Sequence, residues 1–136
     1  MRRRLAWHGV LLFFLSLVEG MFVQSMKNPR MALSAHVGGL MSGLFLGVIG
    51  AAWDELRLSP RAATATYWLA LVGAYGSSAA LVLAAMLGTS SATPIAGAGY
   101  GASATKEALV TFALTVTAVP MLLCCVLLLR GFRRAR

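Results

Sequence analysis

The chain has 136 residues, room for one domain; 59% are hydrophobic and 12% charged, about half the charged share of a soluble domain. With a mean hydropathy of +0.78, the solvent of this fold is mostly lipid. The net charge of +8 does not point to nucleic acid, because the basic residues sit at the two ends and in short turns, with apolar runs between them. That pattern belongs to Lys and Arg flanking membrane spans, not to a basic stripe that tracks phosphates.

Four apolar runs predict an all-α fold: a bundle of four transmembrane helices at about 5–26, 32–53, 62–87 and 106–129, in one integral membrane domain over 1–136. Each run has roughly the 20 residues that cross a hydrocarbon core. Lipid offers the backbone no partner but itself, so runs of this length are helices. The first follows Arg2, Arg3 and Arg4. It is too long for the apolar core of a signal peptide and lacks a small-x-small cleavage site, so it reads as a span.

Lys27-Asn28-Pro29-Arg30 forms the first turn, and Asp54 to Arg61, with Pro60 as a stop, forms the second. Gly88 to Thr105 is a longer loop rich in Gly, Ser and Ala. Cys124 and Cys125 are neighbours in the last apolar run. On a helix they point about 100° apart, which suits small apolar fillers rather than a disulfide.

Placing both termini in the cytoplasm puts Arg2, Arg3, Arg4, Arg57, Arg61, Arg130, Arg133, Arg134 and Arg136 inside, and only Lys27, Arg30 and Lys106 outside. The positive-inside rule selects that orientation, in a multi-pass protein of a bacterial-type inner membrane.

An ionisable group inside a span is expensive and therefore a functional candidate. His8 falls near the inner end of the first span, while Glu19 and His36 fall at similar depth in the outer half. Lys106 and Glu107 enter from the same outer side, and Ser42, Tyr75, Ser77, Ser78 and Tyr100 are the uncharged polar candidates. His8 and His36 lie near opposite faces of a ~30 Å core, too far apart to share a metal within one protomer. A site therefore belongs in the outer half. Along the second span His36, Gly39, Gly43, Gly47 and Gly50 share one face. Glycines at that spacing most often pack helices closely. The sharper reading is a groove below an axial histidine with room for a flat ligand such as haem.

The stretch Asn28-Pro29-Arg30-Met31-Ala32-Leu33-Ser34-Ala35-His36, followed by Gly39, Gly43 and Phe45-Leu46, resembles the hydroxylaminobenzene mutases. So do Pro94-Ile95-Ala96-Gly97-Ala98-Gly99 and Glu107, and the resemblance runs from Trp7-His8-Gly9 to the last span. More distantly, Ala35-His36-Val37-Gly38 through Ser42-Gly43 is similar to styrene oxide isomerases, four-helix membrane proteins that bind haem b between the protomers of a trimer. The chain departs from both families at Ser42, where they usually carry Asn, and from the mutases at Ser77-Ser78, where an Asn-Trp pair is usual. It also has Val82 near the position of a styrene oxide isomerase tyrosine, with Tyr75 one to two turns away.

The resemblance implies an isomerase that converts an aryl hydroxylamine to a 2-aminophenol without net electron transfer. Its cofactor would be ferric haem b as Lewis acid, its substrate a small aromatic arriving from lipid, and its assembly a homotrimer. His36 becomes the metal ligand, with Gly39 and Gly43 beside the cofactor and Arg30 or Lys106 pairing with its propionates. Glu19 and Glu107 are the proton-transfer candidates, Ser42 a holder of the substrate oxygen and Tyr75 a pocket residue. Three alternatives stand beside it: an isomerase for an aryl epoxide, a small multidrug-type transporter with Glu19 as cation site, and a structural subunit whose glycines only pack helices.

Overall fold

The computed structural model describes residues 1–133, leaving Arg134 and Arg136, counted above on the inner side, outside the described residues. Four helices follow one another: α1 (Arg2–Gly20), α2 (Pro29–Ala51), α3 (Pro60–Leu87) and α4 (Ala104–Arg133). Short 3-10 turns at Val23–Ser25 and Trp53–Glu55 flank α2.

The helix starts are written locally. The Asn28 side chain accepts from Met31 N at 3.1 Å, with Pro29 in the first turn behind it. Ser59 accepts from Ala62 N at 3.3 Å ahead of Pro60. Both pairs satisfy an orphan N–H and use a proline where its missing N–H costs nothing. At the end of α3, Gly88 takes φ 68, the left-handed conformation that only glycine adopts without strain. The chain leaves the helix there.

Helices α2, α3 and α4 are long and apolar enough to cross a membrane, so this is a membrane protein. Helix α1 is not of that class. It opens on three arginines, and it stops at Gly20 rather than running on to residue 26. At that end the His36 ring of α2 lies against Gly20. Even so, α1 lies antiparallel along most of α2: a Cβ at Gly50 would be 2.8 Å from Ala6 N, and one at Gly20 would be 2.7 Å from the His36 ring.

The helices stand in chain order as a row, α1 on α2, α2 on α3 and α3 on α4, with α1 only brushing α3. Two apolar clusters hold the row. One gathers Leu5, Leu46, Ile49, Tyr67, Leu71 and Leu128, the other Met31, Ala32, Ala84, Ala85 and Val110. At the first end Arg2 Nη1 donates to Asp54 Oδ2 at 2.6 Å, and Arg57 N donates to Gly131 O at 3.2 Å. The two ends of the described chain therefore lie at the same end of the molecule.

Candidate functional site

The seam between α1 and α2 is very close, and glycine makes it so. A Cβ at Gly43 would lie 2.7 Å from Phe13 N and 2.8 Å from Gly9 O. One at Gly9 would lie 2.6 Å from Gly47 N, and one at Gly39 would run into Ser16 Oγ. Separations this short exclude any side chain. The face of Gly39 and Gly43 expected beside a cofactor is thus taken up by α1. Gly39 is a packing residue outright, whereas Gly43 also borders an apolar groove along the same seam.

His36 sits at the other end of this seam, half-buried, with Nδ1 2.7 Å from Ser16 O. A carbonyl oxygen only accepts, so Nδ1 carries a proton, and in the neutral ring Nε2 then keeps its lone pair. The absence of a side chain at Gly20 makes room for the ring. Ser16 is buried, and its hydroxyl donates to Leu12 O at 2.9 Å. One residue ahead of Gly20, Glu19 has a buried Oε1 with no hydrogen-bond partner among the described residues. A buried oxygen in that condition costs free energy unless a further group arrives to satisfy it. His36, Ser16, Gly20 and Glu19 therefore form the candidate site.

The other predicted residues are placed elsewhere. Tyr75 belongs to α3 and is tied to His8: its hydroxyl donates to His8 O at 3.2 Å and lies 3.1 Å from His8 Nδ1. That pair sits one residue from Gly9, at the level of Gly43 and Gly47, and not beside His36. Ser42 is half-buried, four residues beyond Gly38, whose Cβ position faces Leu81 of α3. On a helix the two share a face, so Ser42 points towards the α3 side.

Glu107 holds the loop between α3 and α4. Its carboxylate accepts from Ser90 N at 3.1 Å, Ser91 N at 3.0 Å and Ala102 N at 3.1 Å. Arg30 donates to Ala98 O in the same loop, and Lys106 is exposed at the start of α4. Asn28, fully buried, donates to Ala96 O at 3.0 Å and receives Met31 N. The two stretches that carry the family resemblance, residues 28–36 and 94–99, are thus bonded to each other.

Sequence reading missed Ser16, Gly20 and Asn28. The first two had a faint signal, since Ser16 and Gly20 are small residues four apart on the same stripe as Gly9. Nothing in the sequence says that the Ser16 backbone would meet His36.

The residues present fit a haem-type ligand set. His36 offers one nitrogen with its tautomer held from behind, the arrangement typical of metal-ligating histidines. Among the described residues no three His, Cys, Asp or Glu side chains converge.

The family model described as styrene oxide isomerase matches residues 1–133 of the chain. Hydroxylaminobenzene mutase HabB of Ectopseudomonas oleovorans is 38% identical over 134 residues, 98% of this chain and 82% of the relative. Hydroxylaminobenzene mutase HabA of the same organism is 35% identical over 127 residues, 93% of this chain and 94% of the relative. No solved structure matches.

Proposed function

The chain belongs to the styrene oxide isomerase family and is an isomerase; on that premise we propose that it rearranges an aryl hydroxylamine to a 2-aminophenol inside the membrane, with haem b held by His36. The observation that carries the reading is the Nδ1 bond of His36 to Ser16 O at 2.7 Å, which leaves Nε2 as a fixed ligand. When bound, ferric haem supplies an electrophile for the oxygen that leaves nitrogen.

The chain's own residues have distinct tasks in this reading. His36 fixes the position of the cofactor through a ring that Gly20 and Ser16 hold in place. Glu19 moves the proton: it takes hydrogen from the ortho carbon as the hydroxyl settles there, and returns it to nitrogen, so the reaction is redox-neutral. Its unsatisfied Oε1 is the free acceptor such a task requires. Arg30 and Lys106, on the same outer side, are the cations for the propionates. Apolar residues around the seam, Phe14, Leu17, Leu33 and Val37, are exposed to lipid and exclude water from an electron-poor ring. The proposed assembly is a homotrimer in the inner membrane with both termini cytoplasmic.

The test is the absorption spectrum of detergent-purified wild type beside His36→Ala, together with 2-aminophenol formation from hydroxylaminobenzene. A Soret band that shifts or vanishes in the variant, along with loss of product, is the expected result. A colourless wild type after haem supplementation overturns the cofactor assignment. The name of the matching family favours a second substrate class, aryl epoxides; styrene oxide assayed in parallel decides between the two.

A further inference from the structure

Of the five α2 glycines, Gly39, Gly43 and Gly50 are explained by α1 and Gly38 faces Leu81 of α3, which leaves Gly47. Gly39, Gly43 and Gly50 have no room for a Cβ, whereas a Cβ at Gly47 would meet nothing within 4 Å. A glycine inside a helix is unfavourable relative to alanine, so an open one points to something outside the protomer. The space it leaves is part of a groove of about 390 Å³, walled by Val10 and Phe13 of α1 and by Leu44 and Val48 of α2. Val10 is 72% and Val48 65% exposed, so the groove opens sideways to lipid. No lining residue carries a polar side chain.

Shape and charge decide the occupant. The groove follows α2 from Gly43 to Ala51, about 12 Å along the helix, close to the ~15 Å depth of one leaflet's hydrocarbon. Its end beyond Ala51 meets the start of α1, where a Cβ at Gly50 would be 3.2 Å from Arg2 O. Arg2 precedes Gly9, and Arg3 precedes Val10, by seven residues, which puts both on the groove side of α1. Asp54 engages Arg2, and Arg3 has no ion pair among the described residues.

We propose that the groove holds one acyl chain of an anionic phospholipid from the leaflet on the N-terminal side, with its phosphate at Arg3. An aromatic substrate would lack the polar groups that orient a heteroatom. The lipid site does not depend on the isomerase reading.

The test is native mass spectrometry of the full chain with dioleoylphosphatidylglycerol or dioleoylphosphatidylcholine added, for wild type, Gly47→Phe, Arg3→Gln and Arg133→Gln. Wild type should retain phosphatidylglycerol in preference to phosphatidylcholine. Gly47→Phe, which fills the groove, should lower retention of both by about tenfold or more. Arg3→Gln should lower the phosphatidylglycerol preference about fivefold while phosphatidylcholine is held as before, and Arg133→Gln should change neither. Unchanged lipid retention in Gly47→Phe overturns the proposal, and a changed oligomer mass there instead assigns the groove to a second copy. Loss of the retained phosphatidylglycerol from wild type on adding hydroxylaminobenzene overturns the proposal and assigns the groove to substrate. Should Gly47→Phe not fold, an Arg3→Gln preference equal to that of wild type overturns the proposal by itself.

Discussion

In the proposed reading His36 serves as a ligand through Nε2, because the Ser16 carbonyl at 2.7 Å engages Nδ1. Such outer partners commonly matter nearly as much as the ligand itself. Glu19 is next in importance, and Glu19→Gln keeps its shape while removing its basicity. The expected outcome is a fall in product formation of about 10²- to 10⁴-fold, the usual worth of a general base. The Soret band should be retained, because His36 is untouched; measuring rate and spectrum on one preparation separates proton transfer from loss of cofactor. Gly39→Ala tests the packing assignment. Its Cβ would collide with Ser16 Oγ, and overpacking of this kind costs about 1–3 kcal/mol. A lower thermal midpoint is expected, and because Ser16 also holds His36, a shifted Soret maximum with it.

Helix α2 is the element on which everything converges. Its α1 face is glycine, its start is capped by Asn28, and its N-terminal half carries His36. Asn28 joins three parts: its N–H donates to Ala85 O at 3.1 Å, its side chain to Ala96 O, and its Oδ1 receives Met31 N. Asn28→Ala removes the cap and the loop bond together. Loss of the cap alone costs about 1–2 kcal/mol, and the orphaned Ala96 carbonyl adds to it. A thermal melt in detergent should show the loss, and hydrogen exchange should speed up in the 88–103 loop while α3 stays protected. The loop keeps its second anchor, the Glu107 carboxylate with three backbone donors. That residue therefore acts at the scale of the element, its carboxylate committed to the loop backbone.

At the scale of the whole molecule, the row of four helices leaves much of α4 and one stripe of α2 apolar and uncovered: Met41, Phe112, Leu122 and Leu129 are all more than half exposed. In water such a surface would aggregate, whereas in a bilayer it needs no cover. The ends of the described chain meet at the 53–58 turn, so an even number of crossings follows if α1 accompanies α2 through the bilayer. Reporter fusions check it. A fluorescent protein after residue 136 should fluoresce, and alkaline phosphatase inserted in the 88–103 loop should be active. Phosphatase activity at the C-terminus would reverse the assigned orientation.

The membrane class, the helices and the family resemblance carried by residues 28–36 and 94–99 were legible in the sequence, because hydropathy, proline and a short motif act locally. The glycine stripe was legible as a stripe, but not which side of it would be filled. Gly39 faces Ser16 while Gly47 faces open space, and that depends on how α1 crosses α2. The packing of Gly20 against His36, the His36 tautomer, the pairing of Tyr75 with His8 and the loop role of Glu107 likewise join residues far apart in the chain. Partition into lipid is a property of each segment by itself and can be read from its composition. Which backbone oxygen a histidine meets is a property of two segments in contact, and only the tertiary structure decides it.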